Sequence, residues 1–293
     1  MMRWEAIAAS IARATGRSFT VVDSSPAGCG SINRGYRVTD GSLTCFVKVN
    51  RPGLAWMFAA EAQGLDALAA TGAIRVPQPI CWGEDEASSW LVLEHLELRR
   101  GNACAMADLG RCMAALHAHR VERFGWQRDN TIGSTPQHND WSDSWLQFWR
   151  EQRLGFQLGL AERNGYGKAL RRADRLLPHL DRLLAHAPRA SLLHGDLWGG
   201  NAAFTGDGQP VVYDPACYHG DREADIAMTE LFGGFAPEFY TAYAEALPLP
   251  DGYRVRRNLY NLYHVLNHLN LFGGGYLAQA SGMIDGLLSE MRG

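Results

Sequence analysis

The stretch His194-Gly195-Asp196-Leu197-Trp198-Gly199-Gly200-Asn201 sets an imidazole, a carboxylate and an amide in the order H-x-D-x-x-x-x-N. Phosphoryl transfer needs a carboxylate beside the acceptor hydroxyl and an oxygen ligand for magnesium. Asp196 suits the first role and Asn201 the second. Gly199-Gly200 lets the backbone turn tightly enough for both side chains to face one way. Downstream, Val211-Val212-Tyr213-Asp214 reads as an apolar strand ending in a second hard oxygen ligand for magnesium. Alone, Asp214-Pro215 would be an ordinary turn. Beside the preceding loop, the metal reading is preferred.

The phosphate side belongs earlier in the chain. Phe46-Val47-Lys48 ends an apolar run, and Glu61 follows on a helical stretch; paired, they would aim an ammonium at the α- and β-phosphates. Gly28, Gly30 and Ser31 form a small-residue loop whose N–H groups can approach phosphate, with Asn33 where a third glycine would stand. No G-x-x-x-x-G-K-[ST] motif is present. Glu94, His95 and Leu96 read as a hinge offering backbone groups to adenine. His194 supports the catalytic loop. Asp225, opening a helix, fits a brace that accepts backbone hydrogen bonds. Only ten residues separate Asp214 from Asp225. That leaves little room for an activation segment or a peptide platform, so the acceptor should be small or a small adduct on a larger molecule.

These groups need two kinds of scaffold. Strands are expected at 18–22, 36–39, 44–49, 78–83 and 90–93, with a helix at 54–70 between them. Helices are expected at 103–119, 142–164, 168–184, 223–231, 237–246, 255–272 and 276–291, broken by a polar tract at 127–140 and by 191–221. The fold class is therefore α+β: a bilobal, protein-kinase-like chain. A small antiparallel-sheet lobe with helices spans 1–95, and a larger, mainly helical lobe spans 96–293. The ligand is expected in the cleft between them. Trp141, Trp145 and Trp149 recur at helical spacing and read as core.

Composition sets the limits. Of 293 residues, 46% are hydrophobic and 20% charged, with a net charge of −3. This balance gives no reason to expect nucleic acid or an anionic membrane as partner. The N-terminal stretch reads as an amphipathic helix, not a signal peptide, and no apolar run reaches the roughly 20 residues of a membrane span. The six cysteines form no CxxC and no zinc spacing, which suits reduced thiols in a cytoplasm.

With these motifs in place, the sequence resembles the fructosamine kinase family, near the aminoglycoside and choline kinases. The resemblance rests on the catalytic loop at 193–201, Tyr213-Asp214-Pro215-Ala216 and 46–50. It rests also on Phe232-Gly233-Gly234-Phe235, the tract 266–273 and the tract 129–137. It implies ATP- and Mg2+-dependent phosphorylation of a ketosamine hydroxyl, in particular the 3-hydroxyl of fructosamine. Bacterial-type relatives tend to prefer ribulosamine or erythrulosamine. The phosphorylated adduct then decomposes and frees the amine, which amounts to deglycation. Free adducts or glycated protein lysines would be the substrates, and the chain would be a monomer or homodimer. Some relatives carry a loop cysteine that forms an intermolecular disulfide; Cys29 falls there, as a candidate redox site. Asn130, Gln137, Trp198, His264 and His268 are candidate acceptor-site residues, though each also has a packing role open to it. Rival readings are an aminoglycoside- or choline-type kinase, a pseudokinase and a two-carboxylate hydrolase.

Overall fold

The computed structural model describes residues 4–28, 30 and 32–292. Helix α1 (Glu5–Thr15) precedes strands β1 (Asp23–Ala27), β2 (Arg34–Thr39) and β3 (Thr44–Asn50). Helix α2 (Ala55–Ala70), β4 (Pro79–Glu84) and β5 (Ser89–Glu94) complete the first unit. Its sheet runs β1-β2-β3-β5-β4 and is antiparallel throughout. On β3, alternation sends Cys45, Val47 and Val49 into a core shared with Ile7 and Ile11 of α1. Phe46 and Lys48 therefore point to the opposite face, toward the cleft.

The run at 18–22 is not a strand. Phe19 and Val21 pack on the core as a connector, and the polar segment 23–27 forms the edge strand instead. An edge tolerates Pro26, whose missing N–H would break a central ladder.

The remainder is mainly helical. It contains α3 (Ala103–His117), the short strand β6 (Arg120–Val121) and a hairpin of β7 (Asn130–Ile132) and β8 (Thr135–Gln137). Next come α4 (Trp145–Phe148), a π-helical segment (Trp149–Gly155), α5 (Phe156–Arg163) and α6 (Gly167–Leu170). Strands β9 (Ala190–Leu193), β10 (Ala202–Phe204), β11 (Pro210–Val212) and β12 (Tyr218–Gly220) frame the catalytic stretch. Helices α7 (Glu223–Thr229), α8 (Pro237–Ala246), α9 (Tyr253–Phe272) and α10 (Leu277–Glu290) close the chain. The long apolar face of α9 is almost wholly buried in the larger core.

Two helices expected as continuous are not. The 142–164 run swells into the π-turn, where a Cβ on Gly155 would press against the Arg150 carbonyl. The 168–184 run collapses into α6 and two 3-10 turns, because Pro178 withholds a donor and His179 leaves helical geometry. The polar tract 127–140, expected as a break, carries the β7–β8 hairpin. No helix is long and apolar enough to cross a membrane among the described residues.

Candidate active site

The catalytic stretch follows β9 and folds back through β10 and β11, so Asp196, Asn201 and Asp214 meet on one wall of the cleft. Two adjoining cavities share Gly30, Trp198, Asn201 and Asp214. The first also holds Lys48, Glu61 and Asp196. Lys48, 1% exposed, donates to Glu61 and, at 2.6 Å, to Asp214 Oδ1. The ammonium thus bridges the small lobe's helix and the large lobe's carboxylate.

The second cavity is an apolar slot lined by Ala27, Phe46, Pro77, Leu93, Leu96 and Leu98, with Gly28, Glu94 and His95 also on its wall. The Glu94 carboxylate turns to Arg75 and to the Gln78 N–H. The backbone groups of His95 and Leu96 make no backbone hydrogen bond among the described residues, leaving an edge for a heterocycle. The small-residue loop is tied to β3 by Asn50, whose Nδ2 donates to the Ile32 carbonyl and to Asn33 Oδ1 at 2.8 Å. Ser31 and Cys29 lie outside the described residues.

The catalytic loop is held from below. Asp225, 1% exposed, accepts from His194 N–H (2.7 Å), Gly195 N–H (2.8 Å) and His117 Nε2. Burial pushes its carboxyl up, but the His117 bond and these N–H groups win, leaving it below the usual carboxylate range. Burial lowers the His194 pKa and keeps the ring neutral. Its Nε2 donates to the Tyr213 carbonyl and its Nδ1 accepts from Asp196 N–H. One ring thereby links the catalytic loop to the segment carrying Asp214.

Asp196 sits at the cavity floor. Burial first, and then the nearby Asp214 charge, push its carboxyl up to about 7 against the Asn201 bond. Asn201 Nδ2 donates to the Asp196 carbonyl (2.9 Å) and Oδ2 (3.0 Å). Its own Oδ1 and the second Asp214 oxygen accept no bond among the described residues. Two free hard oxygens facing one cavity fit a magnesium ion.

The candidate acceptor residues separate. Trp198, 37% exposed, lines both cavities and meets Phe232 edge-on. His268 lines the first cavity, and its Nδ1 donates to the His264 carbonyl. His264 is buried in α9 and does not line the cavity; burial drives its pKa to about 3, so it is a neutral packing residue. Asn130 borders the cavity, but its amide turns to the Cys217 carbonyl at 2.8 Å. Gln137 is 1% exposed, away from the cavity, and donates to the Ala216 carbonyl. The cavity wall is completed by the turn at Gly133 and by Asn267, Leu271 and Phe272. Of these residues the sequence motifs single out none individually, although the tracts 129–137 and 266–273 contain all four.

Comparison with known proteins agrees with this architecture. The fructosamine kinase family model matches residues 3–290. A Synechocystis protein named "Probable ketoamine kinase" is 50% identical over 283 residues, covering 96% of this chain and 95% of its own. The chloroplastic protein-ribulosamine 3-kinase of Arabidopsis thaliana is 42% identical over 281 residues, 93% of this chain and 84% of its own. A Haemophilus somnus crystal structure provisionally named as a fructosamine-3-kinase superposes with a TM-score of 0.91 at 32% identity, covering 97% of each chain. The two-lobed, kinase-like fold expected from sequence is the one observed. By motif, fold and relatives alike, the chain belongs to the fructosamine kinase family.

Proposed function

We propose that this kinase uses ATP and magnesium to phosphorylate a sugar hydroxyl of a ketosamine, free or on a protein lysine, as a deglycation step in a reducing, cytoplasmic setting. One observation carries the reading. Lys48, Glu61, Asp196, Asn201 and Asp214 line a single cavity that opens into an apolar slot ending at the hinge.

Each residue then has a task. The slot takes the adenine, with His95 and Leu96 backbone groups on its edge. Lys48, steadied by Glu61, holds the phosphates. Asn201 and Asp214 hold the magnesium ion, which when bound neutralises charge developing on the transferred group. Asp196 orients the acceptor hydroxyl and takes its proton. Catalysis is positioning and charge neutralisation rather than covalent chemistry by the protein.

The acceptor wall argues for a neutral polyhydroxyl group. Besides Lys48, Glu61, Asp196 and Asp214, the first cavity is lined by uncharged side chains, including Thr131, Trp198, Asn267 and His268. A polycationic aminoglycoside would call for further carboxylates there. His268 and Trp198 fit hydrogen bonding to, and stacking on, a sugar.

The test is phosphorylation of ribulosamine, erythrulosamine and fructosamine adducts of lysine, with choline and aminoglycosides alongside, followed by 31P NMR. A new sugar-phosphate resonance with at least one ketosamine is expected. Phosphorylation of only choline or aminoglycosides would favour the rival kinases, and ATP-independent turnover would favour a hydrolase.

A further inference from the structure

Asp214 has a φ of +58° and is the one non-glycine residue with positive φ among the described residues. An L-residue held in the left-handed region is unfavourable and persists where its surroundings over-determine it. Here the chain is pinned on both sides. Before Asp214, Val212 N–H donates to the Arg75 carbonyl and Tyr213 N–H to the Asn201 carbonyl. After it, Ala216 N–H donates to the His194 carbonyl at 2.8 Å. The next two carbonyls, of Ala216 and Cys217, accept from the side chains of Gln137 (3.0 Å) and Asn130 (2.8 Å).

Those two amides are themselves oriented from a distance. Arg153 is 0% exposed, pairs with no carboxylate among the described residues, and lies 4.1 Å from the Tyr218 ring centre. It starts a chain of bonds that runs one way only. A guanidinium can only donate, so Asn139 presents Oδ1 to Arg153 at 2.7 Å. Asn139 Nδ2 must then face away from Arg153, donating to Asn130 Oδ1 at 3.0 Å and to the Arg128 carbonyl at 3.2 Å. Asn130 Nδ2 is left to face the Cys217 carbonyl, which can only accept. Gln137 is fixed likewise, between the Tyr263 hydroxyl on Oε1 and Asn130 Oδ1 on Nε2. Gly195 of the catalytic loop sits so close that a Cβ there would collide with the Ala216 carbonyl.

We infer that Asn139, Asn130 and Gln137, with their sense set by the buried Arg153, are positioning residues for Asp214. They draw the 216–217 carbonyls away from the cleft and so keep the strained carboxylate facing Lys48 and Asn201. The inference rests on the reading of Asp214 as a magnesium ligand. It assigns the inward amides of the β7–β8 hairpin, Asn130 and Gln137, to the metal segment, while Thr131 and the turn at Gly133 still line the cavity.

Asn139→Asp separates this role from plain stability. The new carboxylate keeps, and charges, the bond to Arg153. It offers no donor, so Asn130 must turn its Nδ2 toward residue 139 and present Oδ1 to the Cys217 carbonyl. The variant should melt lower than the parent, since it also loses the donor to the Arg128 carbonyl, yet the folded protein should bind Mn2+ in the presence of ADP about tenfold or more weakly, measured by electron paramagnetic resonance. The Michaelis constant for the ketosamine should stay within about twofold, since binding of the sugar is untouched. Gln137→Met, which removes the bond to Ala216 together with those to Asn130 and Tyr263 while leaving Asn139 and Arg153 in place, is the second variant should the first not fold. It should weaken Mn2+ in the same direction. Unchanged Mn2+ affinity in both, or a raised ketosamine constant with unchanged Mn2+ affinity, overturns the inference. Asp214→Asn is the control: if it leaves Mn2+ binding intact, the reading of Asp214 as ligand has failed, whatever the hairpin does.

Discussion

Asp196, the base of the proposed transfer, has surroundings that favour its neutral form. With its carboxyl pushed up to about 7 by burial and by Asp214, the group is protonated on the acid side and cannot accept the hydroxyl proton. The pH profile of kcat/KM should therefore fall with unit slope below about 7 and level off above it; a flat profile down to pH 5 would contradict the assignment. Asp196→Asn keeps the shape and the Asn201 contact but loses the base. Turnover should drop at least about a hundredfold while nucleotide affinity, measured by calorimetry, is retained. These residues were legible in the sequence because their spacing is local: one loop supplies Asp196 and Asn201, and a short strand later supplies Asp214. Arg153 and Asn139 were not legible. Their partners lie far along the chain, and nothing in an arginine's neighbours announces that it will be buried without a carboxylate.

At the scale of elements, the catalytic loop and the metal segment are fitted to each other at Gly195. Its φ is +83°, and a side chain there would strike the Ala216 carbonyl. Gly195→Ala should cost about 1–3 kcal/mol in stability, read from chemical denaturation, and should lower activity by more than the folded fraction explains. Alternation and composition correctly located β2, β3 and β5, where β-branched and aromatic residues face a core. They failed where context outweighed propensity. The run at 18–22 has strand-like residues but reaches β2 only at its last residue, where Val22 N–H donates to the Thr39 carbonyl, whereas 23–27 has poor strand formers and pairs along the whole edge of β2. The hairpin at 130–137 was hidden in a polar tract because its side chains satisfy buried carbonyls instead of filling an apolar core.

At the scale of the whole molecule, Lys48 links the sheet to Asp214 and Cys217 packs against Gly64 of α2, so the lobes are tied across the cleft. A nucleotide bridging both lobes should stabilise both. A nonhydrolysable ATP analogue with magnesium, at a hundredfold its dissociation constant, should add about 2.7 kcal/mol. A single thermal transition that moves upward as one is the expected record; a transition that splits, with only the earlier part shifting, would show that the lobes melt independently. The two-lobe plan was legible from the change in periodicity near residue 100, and the ten-residue interval after Asp214 was legible as a length. What that interval does is visible only in space: β12 pairs directly with β9, and His219 bonds Gly125 on the other side, before α7 begins. No slack remains there for a covalent mark to seize. With no throttle in that interval, the proposed transfer would be paced there by the meeting of its two reactants alone.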